Sequence, residues 1–193
     1  AQNAQLLSRT GKKCSSGTHR RYRNATPQRK FIHYPYPLIM QQKELTEKAI
    51  ELLKELISIQ SFSSEEDKTA DAIENWFKSF NIPFERHLNN VWAVNQHFDE
   101  SKPTLLLNSH HDTVKPNSAY TKDPFHPHIE DGKLYGLGSN DAGGALVSLI
   151  ATFTHYYAEE NLNHNILMVA SMEEESSGPN SLRGLLPKLP HID

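Results

Sequence analysis

Residues 103–107 (Pro-Thr-Leu-Leu-Leu) and 166–170 (Ile-Leu-Met-Val-Ala) are short, unbroken apolar runs of strand length, and such runs predict buried strands. Much of the remaining pattern is helical. Leu45, Ala49, Leu52, Leu53 and Leu56 form an apolar stripe on a first helix that ends near Ser58 to Ser61. Ala70, Ile73, Trp76, Phe77 and Phe80 form a second stripe, opened by a capping box at Ser63 and Glu66 and closed by Pro83. A third helix follows Asp141 and two glycines, since Leu146, Leu149, Ile150 and Phe153 recur at i, i+3, i+4 and i+7. This places Asp141 at a helix N-terminus, where a carboxylate is favoured. Residues 84–88 and 91–96, joined by Asn89-Asn90, predict a hairpin because Asn tolerates the positive φ of a two-residue turn. Asp131-Gly132 predicts another. Helices alternating with buried strands indicate an α/β protein with a three-layer α/β/α sandwich.

Charge divides the chain unevenly. It has 20 Lys and Arg against 23 Asp and Glu, yet residues 1–39 hold eight basic residues and no acidic one. The expectation is a basic leader over 1–39, disordered or translated from upstream of Met40, and a domain over 40–193. A transit peptide has the same composition, and nucleic-acid binding is the less favoured reading of such a run. The single cysteine, Cys14, falls in the leader, so the domain has no thiol ligand or disulfide, which fits a reducing, cytoplasmic setting. No stretch reaches the ~18 consecutive apolar residues of a membrane span. Residues 142–157 come nearest, but Gly143, Gly144, Ser148, Thr152, Thr154 and His155 interrupt them and mark a core helix.

Chemistry concentrates where the strands run out. His110-His111-Asp112 follows the first apolar run, and Glu173-Glu174-Glu175 follows the second. Ligand sites of open α/β sheets lie at such carboxyl ends of strands. Imidazole nitrogen and carboxylate oxygen suit divalent ions such as Zn²⁺, and a carboxylate can bridge two ions about 3.5 to 4 Å apart. Asp141 suits that bridge. His110 is then a ligand, with Asp112 orienting its ring from two residues on. Alternate side-chain directions let Glu174 and Glu175 divide the roles of general base and ligand.

In order and spacing these residues resemble the M20 family of metallopeptidases and amidohydrolases. The family's Gly-His-x-Asp stands as Ser109-His110-His111-Asp112, with Thr113-Val114-Lys115-Pro116 following. Asp123-Pro124-Phe125 matches its Asp-Pro-Phe stretch, and Gly-Arg-Gly-x-x-Asp becomes Gly136-Leu137-Gly138-Ser139-Asn140-Asp141, with Leu137 replacing the arginine. The Asp/Glu-Glu-Glu motif stands as Glu173-Glu174-Glu175 with Gly178 after it. The resemblance covers roughly residues 40 to 193. It implies a zinc-peptidase sandwich, truncated, with two Zn²⁺ or Co²⁺ held by His110, Asp141 and Glu175 and with Asp112 and Glu174 as catalytic residues. A one-residue shift in glutamate register is the alternative.

The resemblance is greatest to acetylornithine deacetylases. It implies removal of an N-acyl group from an amino acid, N-acetylornithine in arginine synthesis, with dipeptidase or carboxypeptidase activity as the rival. It further implies one more ligand per ion, a lid domain and a homodimer formed through that lid, all downstream of Asp193. An inactive, metal-binding fragment is therefore the second expectation. The partner is a small N-acyl amino acid or dipeptide, not nucleic acid or membrane. His111, His126 and His128 are read as solvent or loop histidines and His191 as no ligand. Trp76 and Trp92 are read as packing residues, Asp123 and Asp131 as turn formers, and Glu173 as a neighbour adding negative potential.

Overall fold

The computed structural model describes residues 42–193. The expected leader over 1–39, with Cys14, and Met40 lie outside the described residues. The elements are helices α1 (Gln42–Ser58), α2 (Asp67–Ser79), α3 (Gly144–Tyr156) and α4 (Leu182–Leu185), and strands β1 (Glu85–His87), β2 (Asn90–Val94), β3 (Thr104–His110), β4 (His128–Glu130), β5 (Lys133–Tyr135) and β6 (Asn165–Ser171).

Four strands form a mixed sheet in the order β1-β2-β6-β3, in which β3 runs parallel to β6 and the other pairs are antiparallel. All seven residues of β6 are buried, which explains its unbroken apolar run: both of its faces are covered. On one face Ile166, Met168 and Ala170 pack with Ile73, Phe77, Leu146, Ile150 and Phe153 from α2 and α3, and with the stripe of α1. On the other, Leu167, Val169 and Trp92 pack against Leu185 of α4. The three layers are thus three long helices, the sheet, and a thin cover built around one short helix. Trp76 and Trp92 are both buried, as packing residues should be.

Local chemistry departs from the sequence pattern in several places. No capping box forms at α2. Its N-cap is Glu66, without a side-chain capping bond, and the Ser63 hydroxyl donates instead to Asp112 Oδ2 at 2.7 Å. Ser63 thus gives its proton to a buried carboxylate, a charge-assisted bond, rather than accepting a helix N–H. The first hairpin turns at Leu88-Asn89, one residue earlier than expected, since His87 pairs with Asn90 and Leu88 takes φ 55. Asn90 is drawn inward, its side chain donating to Asn180 O at 2.8 Å and accepting from Met172 N at 3.2 Å. The second hairpin turns at Asp131-Gly132, both with positive φ, as expected. Asp123 accepts the amide of Phe125 at 2.9 Å, a turn of the kind its residue type favours.

Asp141 does not open a helix. Residues Ser139–Gly143 form a wide turn in which Asp141 (φ −126, ψ 95) and Ala142 (φ −125, ψ 29) leave helical geometry, and α3 begins at Gly144. Periodicity located the apolar face of α3 but not its first turn. Among the described residues no helix is long and apolar enough to cross a membrane.

Candidate metal centre

Parallel pairing of β3 with β6 aligns two of the three chemical clusters. The last rung sets His110 opposite Ser171, and the His111 amide donates to Ser171 O at 3.1 Å. Beyond that rung one strand leads into Asp112 and the other into residues 173–175. The Ser139–Gly143 turn comes alongside, with Ser109 Oγ donating to Ala142 O at 3.4 Å. Gly138 permits this approach: its φ is +74, and a Cβ there would lie 2.7 Å from the Thr113 methyl. The outcome is a group of ligand atoms from His110, Asp141 and Glu175, all within 4.8 Å of one another.

His110 is oriented for ligation. Its Nδ1–H donates to the main-chain carbonyl of Asp112 at 3.0 Å and lies 3.3 Å from Asp112 Oδ1. Nε2 therefore faces the acids, 3.3 Å from Asp141 Oδ1 and 3.6 Å from Glu174 Oε2. The Asp112 hydrogen bond raises the imidazole pKa to about 9 against the opposing effect of burial, and the charges of Asp112 and Glu174 add to the rise.

Asp112 also holds the glutamate turn. Its Oδ1 accepts the Glu174 amide and its Oδ2 the Glu175 amide, both at 3.0 Å. Burial opposes ionisation of this carboxyl, but bonds from His110, Ser63 and the two amides prevail and bring it down to about 2. Glu174 keeps a 58% exposed side chain beside the cluster. The Glu175 carboxyl is raised, by burial first and then by the Asp141 charge. One imidazole nitrogen and crowded carboxylates that repel one another are a donor set complementary to a divalent cation.

One reading needs correction and another is filled out. Glu173, read as a neighbour adding negative potential, is held in place by a set of donors. It is buried, takes φ 54, and accepts from Ser64 Oγ (3.0 Å), Asn180 N (3.0 Å) and Asn180 Nδ2 (3.1 Å). Burial opposes its ionisation, yet those bonds lower its pKa. His111 is no solvent histidine: it is buried, donates from Nε2 to Asn89 O at 2.9 Å, and sets Nδ1 2.8 Å from Thr69 Oγ1. Burial pushes its pKa down to about 4. It stands apart from the ligand group. His126 and His128 are exposed, and His191 is exposed on the tail. Leu137 is buried, so the arginine of the resembling motif is replaced by a packing residue. The supporting roles of Ser63, Glu66, Asn89 and Asn180 had no signal in the sequence, where the first two read as a capping box and Asn89 as a turn residue.

Residues 106–192 match the model of peptidase family M20/M25/M40. Over that segment the chain is similar to peptidase family M20. A succinyl-diaminopimelate desuccinylase of Blochmanniella floridana is 27% identical over 150 residues, covering 74% of this chain and 39% of the relative. A [LysW]-lysine/[LysW]-ornithine hydrolase of Sulfurisphaera tokodaii is 32% identical over 142 residues, covering 73% of this chain and 37% of the relative. The chain spans about two fifths of the length of these relatives. Among solved structures, a dinuclear metal-binding M20 peptidase of Bacillus subtilis superposes with a TM-score of 0.56 at 17% identity, covering 75% of this chain and 39% of that one, a likeness of fold.

Proposed function

We propose that this chain carries the metal-binding and general-base residues of an amide hydrolase that removes the acyl group from an N-acyl amino acid. The observation that carries the reading is the convergence of His110 Nε2, Asp141 and Glu175 within 4.8 Å, with Glu174 beside them. These donors suit Zn²⁺ or Co²⁺. We assign His110 to one ion, Glu175 to a second and Asp141 to both. Bound ions supply Lewis acidity, polarising the acyl carbonyl and lowering the pKa of water.

The chain's own groups then have defined work. Asp112 holds the His110 ring so that Nε2 presents its lone pair, and it fixes the amides of Glu174 and Glu175 so that their side chains are directed rather than free. Glu174 Oε2 takes the proton of the attacking water and delivers it to the leaving amine. The two relatives are named for a succinylated amino acid and for LysW-linked lysine or ornithine, which supports an acylated amino acid as substrate. N-acetylornithine, a step in arginine synthesis, is the first compound to assay.

The test separates binding from turnover. Glu174→Gln should retain the metal content of the parent protein and lose at least the ~10²-fold in kcat that removing a general base costs. Loss of metal with Glu174→Gln, or an equal loss of kcat from Glu173→Gln at full stability, would overturn the assignment.

A further inference from the structure

Three successive amides of the glutamate turn are each received by a carboxylate. Asp112 takes those of Glu174 and Glu175, while the Glu173 amide donates to Glu66 Oε1 at 3.1 Å. Glu66 is completely buried and lies at the start of α2, far from the ligand group in sequence. Its Oε1 also accepts the Ser64 amide at 2.8 Å, and its Oε2 accepts Asn89 Nδ2 at 3.2 Å. The Asn89 amide cannot turn round, because its oxygen receives Arg86 Nη2 at 2.9 Å and a guanidinium only donates. Arg86 is held in turn by Asp71 and Glu74 at 2.6 and 2.9 Å. A chain of defined polarity thus runs from α2 through Arg86, Asn89 and Glu66 to the residue preceding the two working glutamates. Apolar packing of α2 does not require this carboxylate, and a buried one is retained only where its donors are satisfied.

We infer that Glu66 is a positioning residue for the glutamate turn: by fixing the Glu173 amide it sets where Glu174 and Glu175 are presented. This rests on the metal-site reading above. It predicts a reversal that mere stabilisation does not. Glu66→Gln puts an NH₂ where either Asn89 Nδ2 or the Ser64 and Glu173 amides donate, so one contact becomes donor against donor. Adding Asn89→Asp restores an acceptor at that contact, and the new carboxylate still receives Arg86.

The experiment uses the full 193-residue chain. In metal-free protein, hydrogen exchange at the Glu174 and Glu175 amides should quicken about tenfold in Glu66→Gln, the worth of one hydrogen bond to a charged group. Exchange at Ile150 and Phe153 of α3 should be unchanged, and Glu66→Gln/Asn89→Asp should restore the turn. Titration with Co²⁺, followed by its visible absorption, should show affinity about tenfold weaker in the single variant and recovered in the double. Exchange that is unchanged at the turn, or equally fast in α3, overturns the inference, as does a double variant no better than the single. If the single variant does not fold, a folded double with native exchange supports the inference and an unfolded double overturns it. The exchange measurement needs no metal. Failure of the parent chain to bind Co²⁺ with the turn responding as stated would refute the metal reading alone.

Discussion

Replacing Asp112 with asparagine keeps the side chain's shape but turns one acceptor oxygen into a donor. Whichever way the amide faces, its NH₂ meets a main-chain N–H: Glu174 and the His110 ring on one side, Glu175 on the other. Ser63 can rotate its hydroxyl to accept, but an amide proton cannot move. At least one bond to a charged acceptor is lost, worth about 1.5–3 kcal/mol. A separate route gives the same size. A carboxyl lowered from 3.8 to about 2 contributes roughly 2 kcal/mol at neutral pH, and this side chain has no solvent exposure to discount. The rise in His110 describes the same proton from the other partner, so its energy is not added. We expect Asp112→Asn to lose about 2 kcal/mol in urea denaturation of the metal-free chain at pH 7. The sign with pH follows from a depressed carboxyl. Its contribution is complete above the ordinary value of 3.8 and disappears as pH falls through about 2. The parent should lose that stability in acid, and the variant should have none of it to lose. A variant within ~0.5 kcal/mol of the parent at pH 7, or one with the parent's full acid slope, would refute the reasoning.

Asp141→Ala should abolish retention of both ions, since Asp141 is the ligand assigned to each; elemental analysis finding two ions still bound would refute the shared role. His111 is held neutral by burial, with its pKa at about 4 against an ordinary 6.5, so the unfolded chain takes up its proton first. Stability should therefore fall by roughly 3 kcal/mol as pH drops from 6.5 to 4, and His111→Gln should flatten that limb; an unchanged limb in the variant refutes this.

The sandwich was legible because its signals are local. Residues 166–170 are apolar without interruption because β6 is central in the sheet and covered on both faces, whereas β3, expected to be equally buried, is the edge strand and leaves Leu105 exposed; Asp131-Gly132 satisfies its own turn. His110, Asp112 and the glutamates could be picked out because their side chains are conspicuous after strand ends, and Asp141 because it precedes the apolar period of α3. What escaped depends on partners distant in the chain. Glu66 meets Glu173 across 107 positions, and Ser63 meets Asp112 across 49, so no window of sequence contains either pair. Ser63 and Glu66 consequently mimicked a helix cap. His111 read as a surface residue because burial of a polar ring is decided by Thr69 and Asn89, which the fold alone brings to it. The turn before α3 was hidden because apolar period gives a helix its face and not its first residue.

The rung joining His110 to Ser171 makes the centre a gauge of strand alignment. A slip of one residue between β3 and β6 would still set the three leucines of β3 beside mostly aliphatic residues of β6, so oily contact between the two strands alone discriminates weakly against it. Such a slip would nevertheless carry Asp112 about 3.3 Å along the strand from the two amides it serves and turn the side chains of β3 to the opposite face. A misaligned chain could thus hide its apolar surface and still offer no grip to an ion. Capture of a divalent ion at the proposed site would then select correctly threaded molecules, drawing the population toward native alignment by mass action.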